Sequence, residues 1–231
     1  MGRVGVIGGG AFGTAMACVL RRRGHEVVLW AREPEVADTI NAKRENAVFL
    51  RGVTLPEGIV ATAEMAAAAR DSDFVLLVPP AQHMRAVTAS LQPHLAAGTP
   101  VISCSKGIER GSCALMSQVL ADTLPQARVA ILSGPSFAAE IAVDLPAGVT
   151  LACADPVLGA RLNECAEAML SVEGRSAQDI LGSPDDKKLR SCATLFASVA
   201  APGSVFERLL EKYFAGKPDV WTVEWLKDAG A

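Results

Sequence analysis

Residues 4–15 read VGVIGGGAFGTA. A short apolar run ends in three glycines, and a fourth follows at Gly13. Residues 3–7 have the length and Val/Ile content of a buried strand bounded by glycine. Residues 11–23 place Phe12, Met16, Val19 and Leu20 on one helical face, and Gly24 stands where a helix is stopped. Gly8, Gly10 and Gly13 therefore fit G-x-G-x-x-G between a strand and a helix. In that setting Gly8 makes the tight turn, Gly10 lets a diphosphate approach the backbone, and Gly13 lets the helix pack close to the strand. The diphosphate would rest on the free N–H groups of the helix start, where the helix dipole favours an anion. The pattern points to a dinucleotide site.

The next stretch bears on which dinucleotide. A second strand is expected over 26–30. NAD sites commonly place a carboxylate at its end for the ribose 2′-hydroxyl. Here the chain reads LWAREPE, with Arg32 beside Glu33. Arg32 can face a 2′-phosphate and Glu33 suits a free ribose, so NADP is tolerated and NAD stays open.

Strand and helix patterns then alternate. Helices are expected at 34–45, 64–70, 82–91, 112–123 and 136–143. Strands are expected at 73–78, 99–104, 128–132 and 147–152, and residues 46–62 read as irregular. This alternation predicts an α/β fold: a Rossmann-type, doubly wound, mostly parallel sheet with helices on both faces. After residue 154 the alternation stops, and 155–170, 184–199, 203–214 and 218–228 read as a small all-helical segment. Asp155-Pro156 and Ser183-Pro184 have the form of a cap residue followed by proline at the first helical position. The expected domains are 1–154, NAD(P)-binding, and 155–231, helical.

Composition excludes several classes. The 231 residues are half hydrophobic and carry a net charge of −3, so nothing marks a nucleic-acid surface. The one basic cluster, Arg21–Arg23, ends a helix, where it complements the dipole. No apolar run reaches the roughly 18 residues of a membrane span, and residues 3–7 run straight into glycines without the cleavage region of a signal peptide. Six cysteines without a CxxC pair read as reduced core thiols of a cytoplasmic protein, and three scattered histidines offer no metal site.

Six stretches, GGGAFGTA (8–15), GHEVVLWARE (24–33), NAVFL (46–50), LLVPP (76–80), SKGIE (105–109) and SGPSFAAE (133–140), follow one another in the order and spacing of a known family. Residues 1 to about 154 resemble the soluble prokaryotic NAD(P)-dependent glycerol-3-phosphate dehydrogenases. SGPSFAAE argues against the related phosphogluconate and ketopantoate types. The resemblance implies interconversion of sn-glycerol 3-phosphate and dihydroxyacetone phosphate by hydride transfer, a step that feeds phospholipid synthesis. It implies that Ala11, Phe12, Arg32 and Ala138 line the cofactor, that Gly134 and Ser136 touch the small-molecule substrate, and that Lys106 serves both. An ammonium suits that place, since it can hold a phosphate or polarise a carbonyl. The bland alternatives are a surface lysine at 106, a solvated Arg32 and a plain helix cap at Ser136.

The family continues into a helical domain with a catalytic lysine in a segment like GGAxKN and a later arginine–asparagine cluster. No such segment follows residue 154 here. Residues 155–231 instead resemble the C-terminal part of an uncharacterised family of short prokaryotic proteins, through DPVLGARLNECAEAML, EGRSAQDILGSPDDKKLRSCATLFASV and VFERLLEKYFAGKPD. A fusion by deletion would join two reading frames in this way. Lys187 and Lys188 stand about as far beyond SGPSF as the family's lysine, but a Ser-Pro-Asp-Asp helix start usually leaves its charges solvated. The tail's Phe196, Phe206, Tyr213, Trp221 and Trp225 could pack on the first domain or drive a homodimer.

Overall fold

The structure is a computed structural model, and it describes residues 2–134, 136–145, 149–155, 157–159 and 162. The elements are β1 (Arg3–Ile7), α1 (Ala11–Arg22), β2 (Glu26–Trp30), α2 (Pro34–Lys43), β3 (Ile59–Thr62), α3 (Met65–Ala69), β4 (Phe74–Leu77), α4 (Met84–Leu91), β5 (Pro100–Ser103), α5 (Met116–Thr123), β6 (Arg128–Ser133), α6 (Ala138–Ala142) and β7 (Thr150–Cys153). The seven strands form one sheet in the order β3-β2-β1-β4-β5-β6-β7. The pairs from β3 to β6 are parallel, and β7 runs antiparallel to β6. The sheet is therefore mostly parallel, as the alternation predicts. The reversal of strand order lies between β1 and β4, where doubly wound sheets open a crevice at their carboxyl edge.

Two cores cover the sheet, as successive residues face opposite sides. Val4, Val6, Leu29, Leu76 and Ile102 pack beneath α1 and α2 on one side. Ile7, Val28, Val75, Leu77 and Val101 pack with residues of α3, α4 and α5 on the other. In α1 every residue from Gly13 to Leu20 is buried. The helix ends with two reciprocal bonds: His25 N–H donates to Leu20 C=O at 3.1 Å and Gly24 N–H to Arg21 C=O at 3.0 Å. Gly24 supplies the left-handed φ of 87° that this ending needs. Arg21 and Arg22 do more than complement a dipole. Arg21 donates to the Glu57 and His25 carbonyls, and Arg22 donates to the Ala142 carbonyl, tying α1 to α6.

The structure corrects several expected boundaries. Residues 59–62 are an edge strand, not irregular chain. IVAT offers only two buried positions, Ile59 and Ala61, too few to show as a period. The helix expected over 34–45 stops at Lys43, because Arg44 takes a left-handed φ of 53°. The helix expected from 112 starts at Met116, after a turn containing Gly111 and Cys113, both at positive φ. The last strand lies at 150–153 and is antiparallel. Asp155 caps the turn after it, since its carboxylate accepts the Val157 and Leu158 N–H groups and also pairs with Arg128. These partners hold its carboxyl below the usual range, the Leu158 N–H contributing most. Leu158 and Leu162 join the core beneath α1. The helices expected beyond them, with Lys187, Lys188 and the tail aromatics, lie outside the described residues. No described helix is long and apolar enough to cross a membrane.

Candidate active site

Each glycine of the first loop can be assigned a cause by placing a Cβ on it. Gly8 has φ of 131°, and its Cβ would lie 3.0 Å from the Val78 carbonyl carbon. A Cβ on Gly9 would lie 2.6 Å from the Ala31 Cβ, and one on Gly13 would lie 1.9 Å from the Gly8 carbonyl oxygen. Those three are glycine because the protein itself leaves no room. Gly10 differs. Its φ of −71° and ψ of −178° suit any residue, and a Cβ there meets nothing within 4 Å. It is the N-cap of α1, with no capping side chain and no acidic residue in the first turn. The N–H groups of Ala11, Phe12 and Gly13 thus lack the usual side-chain acceptor and open onto the space above Gly10. A side chain at residue 10 would fill a cradle suited to a diphosphate, so the residues present fit a dinucleotide.

The loop is braced from a segment that the sequence pattern does not connect to it. Asn46 is buried. Its Nδ2 donates to the Gly9 carbonyl and to Thr14 Oγ1, both at 2.8 Å, and its Oδ1 accepts the Phe49 N–H at 3.0 Å. It is a bracing residue of the candidate site that the sequence pattern does not reveal. The only signal was its place at the head of NAVFL, whose Val48 and Phe49 remain exposed beside it. Arg32 follows β2 on the same carboxyl edge. Its side chain is 73% exposed and pairs with Glu33 at 2.6 Å.

The other predicted residues follow β5 and β6. Lys106 lies beyond β5 and donates from Nζ to the Gly134 carbonyl at 2.7 Å, which bridges the two loops. Ser136 Oγ lies 3.3 Å from the same carbonyl. The helix start is displaced from expectation: Phe137 is the N-cap of α6 and Ser136 caps nothing. Its hydroxyl therefore stays beside Gly134, within the loop that Lys106 reaches. Ala138 opens α6 and packs against the core beneath α1. Lys106, Gly134 and Ser136 come together. Gly8, Gly10, Ala11, Phe12 and Gly13 form the separate loop after β1, and Arg32 stands at the end of β2.

Burial keeps the two cysteines beside these loops, Cys18 and Cys104, in the thiol form. Burial pushes the Cys104 thiol up to about 12 against the opposing charge of Lys106, and pushes Cys18 up to about 11. Cys113 departs from expectation, since it lies exposed on the turn before α5 instead of in the core. Cys165 and Cys192 lie outside the described residues.

Comparison with known proteins bears on the family and the fold. The family model of the NAD-dependent glycerol-3-phosphate dehydrogenase N-terminus matches residues 3–158. A second family model, a protein of unknown function (DUF1810), matches residues 124–226, so the two overlap over 124–158. The NAD(P)+ glycerol-3-phosphate dehydrogenase of Paramagnetospirillum magneticum is 56% identical over 164 residues, which cover 71% of this chain and 59% of that protein. The enzyme of the same name from Caulobacter vibrioides is 52% identical over 181 residues, 78% of this chain and 54% of that one. The crystal structure of glycerol-3-phosphate dehydrogenase from Coxiella burnetii superposes with a TM-score of 0.67 at 30% identity, covering 74% of this chain and 51% of the other. The chain spans little more than half the length of these relatives. Residues 3–158 make up more than half of the chain, and through them it belongs to the NAD-dependent glycerol-3-phosphate dehydrogenase family.

Proposed function

We propose that this chain binds NAD or NADP across the carboxyl edge of its sheet and that the reaction of the site is interconversion of sn-glycerol 3-phosphate and dihydroxyacetone phosphate. The observation that carries the reading is Gly10, the one loop glycine that neither backbone conformation nor protein packing requires. The α1 N–H groups hold the diphosphate, and Ala11 and Phe12 line it. Arg32 reaches a 2′-phosphate by leaving Glu33, an exposed pair that costs little to break. Ala138 borders the nicotinamide. When bound, the nicotinamide gives or takes the hydride at C2 of the substrate. Lys106 gives up the Gly134 carbonyl to hold the substrate or polarise its carbonyl, and the Ser136 hydroxyl beside it helps to orient it.

Turnover is expected to be far weaker than cofactor binding. Residues 155–231 contain no GGAxKN and no arginine–asparagine segment. Loss of proton transfer alone costs roughly 10²–10⁴-fold. A reduced cytosol suits the free thiols, so we place the chain in the cytoplasm. The test is a calorimetric titration with NADPH and NADH, followed by dihydroxyacetone-phosphate-dependent oxidation of NADPH. Saturable binding with slow or no oxidation supports the reading. A folded sample that binds neither nucleotide overturns it.

A further inference from the structure

Lys106 belongs to the connection 104–115 between β5 and α5, twelve residues long. Its position must be fixed by something other than secondary structure. The far part of the connection closes on itself: Glu109 N–H donates to Ala114 C=O, Cys113 N–H donates to Glu109 C=O, and Ile108 bridges Leu115. Gly107, at φ of 117°, separates that lobe from Lys106. The lobe is gripped from outside by the start of α4. Gln82, in the 3₁₀ turn Ala81–His83, donates from Nε2 to Ile108 C=O at 2.8 Å and accepts the Arg110 N–H at 2.9 Å. Its amide thus satisfies a donor and an acceptor of the loop, as a neighbouring strand would. Arg85 on α4 makes a two-pronged pair with Glu109, Nε to Oε1 at 2.8 Å and Nη2 to Oε2 at 2.9 Å. Asp122 of α5 accepts from the same guanidinium at 3.2 Å, and Ser112 Oγ donates to Glu109 Oε2 at 2.5 Å. On the near side, Ser105 Oγ donates to the Pro79 carbonyl beyond β4.

The Arg85–Asp122 pair is exposed and adds little to global stability, and the Arg85–Glu109 pair is part-buried. A planar fork on a carboxylate fixes orientation far better than it adds energy. Gln82 and Arg85 lie one helical turn apart and hold adjacent residues of one lobe, so together they set its height and its rotation about Gly107. We infer that Gln82, Arg85 and Glu109 are positioning residues for Lys106, a clamp that keeps its ammonium over the Gly134 carbonyl and in reach of bound ligand. The clamp rests on the reading of Lys106 as a ligand contact. It gives Glu109 of SKGIE a role beyond that of a solvated charge.

The test uses the full chain and two measurements. The first is amide hydrogen exchange without ligand. Glu109→Ala should speed exchange of the Glu109 and Arg110 amides by about tenfold, while the Thr14 amide at the glycine loop keeps its rate. Arg85→Lys, which keeps the charge and loses the fork, should do the same. The second is a double-mutant cycle on NADPH affinity. Glu109→Ala should weaken binding about fivefold in the wild-type background and not at all in Lys106→Ala. Unchanged exchange in the loop overturns the clamp, and so do losses that multiply in the double variant. If the wild-type chain binds no NADPH, the cofactor reading fails and the exchange result alone decides the clamp.

Discussion

Two loops on the same sheet edge are built by opposite means. The β1–α1 loop is fixed by what it lacks: Gly8 and Gly13 let backbone meet backbone, Gly9 clears the Ala31 side chain, and Gly10 alone of the four has open space around it. The β5–α5 loop is fixed by what reaches it, the amide of Gln82 and the guanidinium of Arg85. A loop of the first kind tolerates almost no added atom. A loop of the second kind can lose a partner and still fold, at the cost of where its lysine points. The difference predicts how each should fail.

The largest loss is expected at Gly13. A Cβ 1.9 Å from the Gly8 carbonyl must push α1 off β1, so Gly13→Ala should destabilise the chain by about 3 kcal/mol in urea unfolding. A cost below about 1 kcal/mol would mean that the helix can slide and that the close approach is not fixed. Asn46→Leu comes next. It removes three hydrogen bonds, two of them buried, and leaves the Gly9 carbonyl with only the long 3.5 Å bond from the Thr14 hydroxyl, for a loss of about 2 kcal/mol, and NADPH affinity should fall with it because the loop relaxes. Full affinity in a folded Asn46→Leu protein would show that the glycine loop needs no brace.

Arg32→Ala should spare stability and separate the two nucleotides. It should weaken NADPH about tenfold and leave NADH unchanged in parallel titrations. Equal effects on both would remove the 2′-phosphate from the account. The smallest effect is a pH dependence. The Arg85 fork, with Ser112 second, holds the Glu109 carboxyl at about 2, below its ordinary value of 4.5. A depressed carboxyl contributes stability that is fully present above pH 4.5 and is lost as pH falls towards 2. Exchange of the 108–110 amides should therefore hold steady from pH 8 to 5, once corrected for intrinsic rates. It should rise below that in wild type and be insensitive in Glu109→Gln. A rise already between pH 7 and 5 would point to another group.

The same contrast explains what was legible in the sequence. The glycine loop could be read because its constraint is local: three spaced glycines between an apolar strand and a helix that Gly24 stops. The order of β/α units gave the sheet, and with it the carboxyl edge that gathers Lys106, Gly134 and Ser136. The resemblance carried by SKGIE and SGPSFAAE picked out those three residues. The clamp was not legible, because Gln82 and Arg85 meet Glu109 only through the packing of α4 beside the loop. Asn46 was hidden for the same reason, 37 residues from the carbonyl it holds. The edge strand at 59–62 was missed because half of a four-residue period is two side chains. The cap offered as the alternative for Ser136 falls to Phe137, because α6 starts at Ala138, and the Ser136 hydroxyl lies beside Gly134.

The most direct measurement is a comparison of wild type with Gly10→Val, by thermal unfolding and by NADPH titration of the same samples. Residue 10 has an ordinary φ and open space around a Cβ, so the variant should lose only the roughly 1 kcal/mol of exchanging a glycine N-cap for an aliphatic one, and melt within about 4 °C of wild type. It should also bind no NADPH at concentrations that saturate wild type. Retained binding, or a loss of stability like that of Gly13→Ala, would contradict the claim that this glycine is kept open for the diphosphate.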